Sequence, residues 1–470
     1  METNPREHKF RPGILGTAAM LSILLVTAAF ADNPVPSIVG PVKPQAVAPG
    51  SGAFILTVYG ANFVPGAVVN WNDALRSTTF ISARELRAQI LASDVAFPTA
   101  GNITVTNPAP GGGNSSSSYG LVEVHTPTAT IIPKRPHIYA GGFSVVAADF
   151  NNDGELDFAG GHLMHEIALW LGNGNGTFGH RSLATHRAML GAMAFGDFNG
   201  DGNRDLVFAA DPGGPPFQFQ VRLGNGDGTF RAGSRFGSFY LNKQIVVGDF
   251  NGDGKLDLAV TADDTLVFLG RGDGTFLRRQ KYRFGADAIA VGDFNGDGKL
   301  DLVVNGPNLF LLVGNGDGTF QKPRTIGPSA FDCGFKPGSQ VNDFNGDGNL
   351  DVAFCISTKS GGAKIGILLG RGDGTFEKPV FYPVSSDNYY SVGADDFNSD
   401  GKTDLVVSRN HNNEFALLLG NGDGTFQHET IIKLAEGYFA PFGILAADFD
   451  SDGLLDFVLD DSDSVVYTQK

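Results

Sequence analysis

The chain has 470 residues, among them 65 Gly, 24 Pro and 38 Phe, and its 50 Asp plus Glu against 34 Lys plus Arg give a formal net charge of −16. Glycine and proline at this level cut long helices short and exclude an all-α bundle or coiled coil, while 42% hydrophobic residues are too many for a disordered acidic chain. The negative balance excludes a nucleic-acid binder, which needs a basic surface to meet phosphates.

Residues 1–31 read as a targeting segment. Lys9 and Arg11 precede an apolar run from Gly13 to Phe30, which ends in Ala29-Phe30-Ala31. A basic start, an apolar middle and a small-x-small end mark a secretory signal peptide. The run is marginal for a membrane span, and no other stretch is long and apolar enough for one. The mature chain is therefore expected to be secreted, extracellular or periplasmic, without an integral membrane span, and monomeric. Export permits a disulfide between the two cysteines, Cys333 and Cys355; two separate buried cysteines fit the sequence equally well.

Residues 32–125 carry short β-type runs: AFILTVYGANF, AVVNWN, STTFIS, LRAQIL and NITVTNPAP. Phe54, Leu56 and Val58 alternate with Ile55, Thr57 and Tyr59, the period of a strand with one buried face. Regular short strands over this length predict a small β-sandwich. The segment resembles the IPT/TIG family of immunoglobulin-like domains, through SIVGPVKPQAVAPGSGAFILTVYGANF and NITVTNPAPGGGNSSS. The resemblance implies a spacer or interaction module and brings no catalytic residues. PGGGNSSSS, 110–118, reads as a loop between the last two strands or as linker.

From residue 126 to 470 the chain repeats itself. One acidic phrase recurs seven times, beginning at Asp149, Asp197, Asp249, Asp293, Asp343, Asp396 and Asp448. A glycine-rich phrase of the LGNGDGTF type follows the first six, beginning at Leu171, Leu223, Leu269, Val313, Leu369 and Leu419. Each unit of about 50 residues offers four short apolar runs, which predicts a radial array of four-stranded sheets. The fold class expected is all-β: a seven-bladed β-propeller after a small immunoglobulin-like β-sandwich. After Asp456 too few residues remain for a fourth strand, and 128–139 (TATIIPKRPHIY) resembles the fourth strands elsewhere. This segment is expected to complete the last blade and leave no open edge.

In the phrase at 249–257, Asp249, Asn251 and Asp253 alternate, so their oxygens can converge on one point; Gly254 permits the turn, Lys255 offers its carbonyl and Asp257 closes the shell. Oxygen donors at positions 1, 3, 5, 7 and 9 suit a hard cation, Ca²⁺ before Mg²⁺. The loops hold neither thiol nor imidazole, which disfavours zinc. An EF-hand needs Glu at position 12, where this phrase has Val260. Three carboxylates packed without a cation would repel one another.

The pattern resembles FG-GAP/VCBS repeats, the calcium-binding propeller repeats of integrin α-chains and many exported bacterial proteins. The resemblance implies about seven Ca²⁺, one per blade, each held between a blade's first two strands. The implied ligands in loop one are Asp149, Asn151, Asp153, Glu155 and Asp157; in loop two, Asp197, Asn199, Asp201, Asn203 and Asp205. Loop three has Asp249, Asn251, Asp253, Lys255 and Asp257, and loop four Asp293, Asn295, Asp297, Lys299 and Asp301. Loop five has Asp343, Asn345, Asp347, Asn349 and Asp351, and loop six Asp396, Asn398, Asp400, Lys402 and Asp404. Loop seven has Asp448, Asp450, Asp452, Leu454 and Asp456, so position 3 is Asp here and keeps an oxygen. Position 7 contributes its backbone carbonyl throughout. The loop aspartates outnumber the net negative charge, so the acidity is concentrated at these points.

The glycine-rich phrase is GxGxGTF, not the GxGxxG of a phosphate cradle; a tight turn whose Phe packs between blades is expected. Gly401-Lys402-Thr403 imitates the end of a P-loop but lies inside an acidic loop. Arg271-Gly272-Asp273 and Arg371-Gly372-Asp373 are read as turn variants. No Gly-x-Ser-x-Gly elbow is present. His162, His165 and Glu166, with His180 and His186, fit no zinc-protease spacing and read as loop histidines. Trp170, Tyr389-Tyr390 and Tyr438-Phe439 offer sugar-stacking surfaces, against core or rim packing. Three functional classes stand: a binding or adhesion module for a glycan or extracellular protein, an extracellular polysaccharide lyase or hydrolase, and a structural surface module. No catalytic residue and no organic cofactor is assigned.

Overall fold

The computed structural model describes residues 32–115, 120–128, 137–140, 143–161, 167–183, 188–210, 216–239, 242–328, 339–357, 363–384, 389–409, 414–433, 443–460 and 463–469. The described residues form strands and turns without a helix. The segment 1–31, Cys333, His162, His165, Glu166, His186, Tyr438-Phe439 and most of 128–139 lie outside them.

Alternation sets the first two layers. Leu56 and Val58 of strand Phe54–Ala61 point inward with Leu86, Ala88 and Ile90 of Glu85–Ile90. They meet Val69 and Trp71, Ile103 and Val105, and Val122 and Val124 from a second sheet. The first sheet runs Ser37–Ile38, Phe54–Ala61, Glu85–Ile90, Thr78–Ser82; the second places Ala46–Val47, Leu121–Val124, Thr99–Asn107, Val68–Trp71 and Ala74–Leu75 side by side. The two-residue strands and Leu121–Val124 are too short to show a period in the sequence. Gly113–Asn114, inside the glycine and serine stretch, pairs with Thr99–Asn107.

The remaining described strands form seven four-stranded antiparallel sheets, numbered here in chain order. Sheet three is typical: Asn242–Gly248, Asp257–Ala262, Thr265–Gly270 and Phe276–Tyr282. Its second strand is buried at every residue and its third at all but one. Sheets stack face to face, so the middle strands carry unbroken apolar runs, such as Leu302-Val303-Val304, in place of alternation. Fourth strands are half exposed, as in Val380–Pro383.

First strands pack side by side in sequence from sheet one to sheet seven, and the first strand of sheet seven packs against that of sheet one. Sheet seven takes its outer strand from the beginning of the repeat region: His137–Ala140 pairs antiparallel with Asp463–Tyr467. The first strands line a cavity of about 320 Å³ that Ser37, Ile38 and Val39 of the sandwich also line. Cys355, buried in the second strand of sheet five, is disulfide-bonded.

Candidate metal centre

Every acidic loop joins the first strand of its sheet to the second. Position 9 opens the second strand, and Asp157, Asp205, Asp257, Asp301, Asp351, Asp404 and Asp456 are all fully buried. In loop four the Asp301 carboxylate accepts two backbone bonds, from Phe294 N (3.0 Å) and Gly314 N (2.8 Å). The same pair of bonds recurs at Asp157, Asp205, Asp257 and Asp351. Position 9 therefore ties its own loop to the end of the third strand, where the glycine-rich phrase begins. In the last unit, which lacks that phrase, Gln469 N takes the glycine's place on Asp456 at 2.8 Å.

That first glycine is required by a close approach. A Cβ built on Gly314 would overlap the Leu300 carbonyl oxygen, and the equivalent backbone oxygen crowds Gly172, Gly224, Gly270, Gly370 and Gly420. Gly314→Ala is expected to cost about 1–3 kcal/mol, read from the urea midpoint. An unchanged midpoint would show that the strands part without penalty.

Position 1 organises the turn. Asp293 Oδ1 accepts from Gly296 N (2.8 Å) and Asp297 N (3.2 Å), and its Oδ2 accepts from Gly298 N (2.8 Å). Asn295 Oδ1 and Asp297 Oδ1 each accept the amide two residues on. These bonds hold the side chains of positions 1, 3 and 5 on the backbone amides of their own turn. Position 2 is always Phe, buried under the loop: Phe150, Phe198, Phe250, Phe294, Phe344, Phe397 and Phe449.

The glycine-rich turn reaches the preceding sheet. Gly318 N donates to Phe250 O at 2.9 Å, and the Phe320 ring lies 5.5 Å from Phe250. The relation repeats for Gly228 with Phe150, Gly274 with Phe198, Gly374 with Phe294 and Gly424 with Phe344. Gly176 of sheet one donates to Phe449 of sheet seven at 3.1 Å, and the Phe178 ring lies 5.5 Å from Phe449. In sheet seven, Gln469 Nε2 reaches Phe397 O at 3.4 Å. The two phrases are thus halves of one lock between neighbouring sheets. The Arg-Gly-Asp tripeptides sit in these turns, where Asp273 and Asp373 accept from Thr275 and Thr375.

Loop seven shows whether a cation fits. One oxygen from each of Asp448, Asp450 and Asp456 lies within 4.8 Å of the others. Oxygens bound to one Ca²⁺ at about 2.3–2.6 Å fall within roughly 5 Å of each other. The Asp404 Oδ2 atom of loop six is buried without a well-formed hydrogen bond. Hard, anionic oxygens with spare lone pairs fit Ca²⁺. The loop residues would hold it, and its charge would offset the buried carboxylates.

Burial pushes the position 9 carboxyls up, and the position 1 carboxylate adds to it: to about 6 for Asp157, about 7 for Asp205 and Asp301, and about 8 for Asp257, Asp351, Asp404 and Asp456. A metal-free folded chain thus holds more protons than the unfolded chain, whose Asp titrates near 3.9. The stability that these groups contribute is present below about pH 4 and lost as pH rises through about 6–8, by about 1.4 kcal/mol per pH unit for each group still titrating. Cation binding displaces those protons, so affinity rises over the same window. A melt in EDTA should therefore fall from pH 5 to 8; a rise would contradict the burial of these carboxyls.

The sandwich lies against the loops, which nothing in the sequence signals because the partners are hundreds of residues apart. Val35 N donates to Asp249 Oδ2 at 2.9 Å. Arg84 Nε lies 3.0 Å from Asp293 Oδ2, and Lys43 Nζ 2.5 Å from Asp343 Oδ2. Thr128 N donates to Asn398 O at 2.9 Å, and Gly453 of loop seven abuts the Thr99 backbone. Accordingly, the position 1 aspartates of loops three to seven are buried, while Asp149 and Asp197 of loops one and two are half-buried. Val35, Val39, Ala61 and Leu121 join apolar clusters of the repeat sheets.

Two other sequence candidates have structural places. Trp170 is buried and stacked on Phe158 at 4.7 Å, so it belongs to the core. His180 is exposed, its ring 5.6 Å from Trp170.

Fold and loops together define a propeller-like array of acidic-loop repeats. The chain belongs to the FG-GAP-like repeat family, whose model matches residues 149–208, 197–260, 249–304, 293–354, 343–407 and 396–459. No curated protein matches the sequence. Among solved structures, a lectin from Agrocybe aegerita, described as recognising non-reducing terminal N-acetylglucosamine, is similar at TM-score 0.46 and 17% identity, over 78% of this chain and 96% of the lectin. The rhamnogalacturonan lyase YesW is similar at TM-score 0.43 and 12% identity, over 94% of this chain and 90% of that one. An auxiliary nutrient binding protein from Bacteroides ovatus gives TM-score 0.38 and 11% identity, over 94% and 100%.

Proposed function

We propose that this chain is a secreted, calcium-loaded, seven-bladed propeller that carries an IPT/TIG-like sandwich and acts as a binding or adhesion module for a glycan or an extracellular protein. The observation that carries the reading is the position 9 aspartate. It is fully buried in every loop and hydrogen-bonded to the scaffold, which supports a structural role for the cations, that of fixing the geometry of a rigid ring. A rigid ring that displays strand-connecting loops suits recognition. Among the described residues, no helix is long and apolar enough to cross a membrane.

The test is a glycan array and a panel of extracellular matrix proteins, probed with and without EDTA. Binding that disappears with chelator is the expected result. Turnover of an acidic polysaccharide, with products appearing over hours, would instead make the chain a carbohydrate-active enzyme.

A further inference from the structure

We propose that Glu123 of the sandwich shares the cation of loop six, so that one ion holds the sandwich to the repeat array. The proposal rests on the calcium reading of the loops. Its motive is a contrast between neighbouring loops. At loops four and five the sandwich meets the position 1 aspartate with a cation, Arg84 on Asp293 and Lys43 on Asp343. At loop six it brings an anion. Glu123, in strand Leu121–Val124, is 3% exposed. Its Oε2 accepts from the Ser399 hydroxyl of loop six, and its buried Oε1 has no hydrogen-bond partner. The charged groups that act on it most are three more carboxylates, Asp396, Asp395 and Asp448.

A buried carboxylate set among others costs several kcal/mol unless a positive charge compensates it. A divalent cation supplies that charge. Ca²⁺ takes six to eight oxygens, more than five loop residues provide with one oxygen each, so an oxygen from outside the loop is chemically suited to the shell. The contact between strand Leu121–Val124 and loop six is enclosed. Asn398 and Ser399 are 4% and 1% exposed, Thr128 N bonds Asn398 O, and Thr403 Oγ1 lies 3.4 Å from Gln45 Oε1. The shared ion makes docking of the sandwich depend on calcium at loop six, a dependence that loops four and five, with their own basic partners, do not need.

The test is calorimetric titration of the full chain with CaCl₂, together with amide exchange at Thr128. Glu123→Gln keeps the shape and removes the charge. It should weaken one site of the set roughly 10–100-fold, leave the others unchanged, and expose the Thr128 amide to exchange at a calcium concentration that saturates the wild-type chain. Asp201→Asn in loop two, remote from Glu123, should weaken one site yet leave Thr128 protected. An unchanged isotherm for Glu123→Gln would overturn the proposal and mark Glu123 as a buried neutral acid. Should that variant not fold, the wild-type chain decides: Thr128 protection that survives chelation below the melt overturns the proposal. A wild-type chain that takes up no calcium overturns the loop reading and this proposal together.

Discussion

Chelating calcium is expected to lower the melting temperature by roughly 20 °C. Extracellular calcium modules bind with Kd of about 10⁻⁴–10⁻³ M. At free calcium near ten times Kd each site adds about 1.4 kcal/mol, so seven sites add about 10 kcal/mol, comparable with the roughly 5–15 kcal/mol total stability of a typical domain. At about 2 °C per kcal/mol for a chain of this size, that is a shift no buffer effect would hide. The loops add a structural reason for its size. Their carboxyls are buried, so removing the cation leaves them to take up protons at values raised to about 6–8, which costs folding stability near neutral pH. Calorimetry in millimolar calcium and in EDTA, with bound metal counted by atomic emission, checks the expectation. Equal melts would sink the calcium reading.

The second large effect separates scaffold from ligand. Asp301→Ala is expected to destabilise the chain by about 3–5 kcal/mol, since two buried amides, Phe294 N and Gly314 N, lose an ionisable acceptor worth about 1.5–3 kcal/mol each. The loss should persist in EDTA, because those bonds do not require an ion. Asp297→Asn, at exposed position 5 of the same loop, should be within about 0.5 kcal/mol of wild type in EDTA and differ only in calcium. Urea unfolding of both variants in both buffers reads this out. If Asp297→Asn is as damaging as Asp301→Ala in EDTA, position 9 has no separate structural role.

The repeat made much of the fold legible. Short apolar runs around DFNGDGKLD and LGNGDGTF are strong signals, since each unit restates the same alternation of strand and turn. The N-terminal sandwich was legible where strands are long enough to show a period, as in Phe54–Ala61, and silent at Ser37–Ile38 and Leu121–Val124. The acidic loops were legible as turns too, because each lies within nine consecutive positions and its shape depends on local geometry alone. The second role of position 9 was not, because Gly314 lies 13 positions beyond Asp301 and the bond forms only once the strands pair.

The sequence by itself determined the class of structure, the number and composition of the acidic loops, and where the net charge resides, since all three follow from local pattern and composition. Only the tertiary structure decided how the loops are used. It brought Val35, Lys43, Arg84 and Glu123 onto loops three to six, with separations such as 214 residues for Val35 and 300 for Lys43, and it set Gln469 in the place of a missing glycine-rich turn. Such contacts carry no local signature. They arise because two apolar surfaces exclude water together, and the polar groups beside them must then find partners.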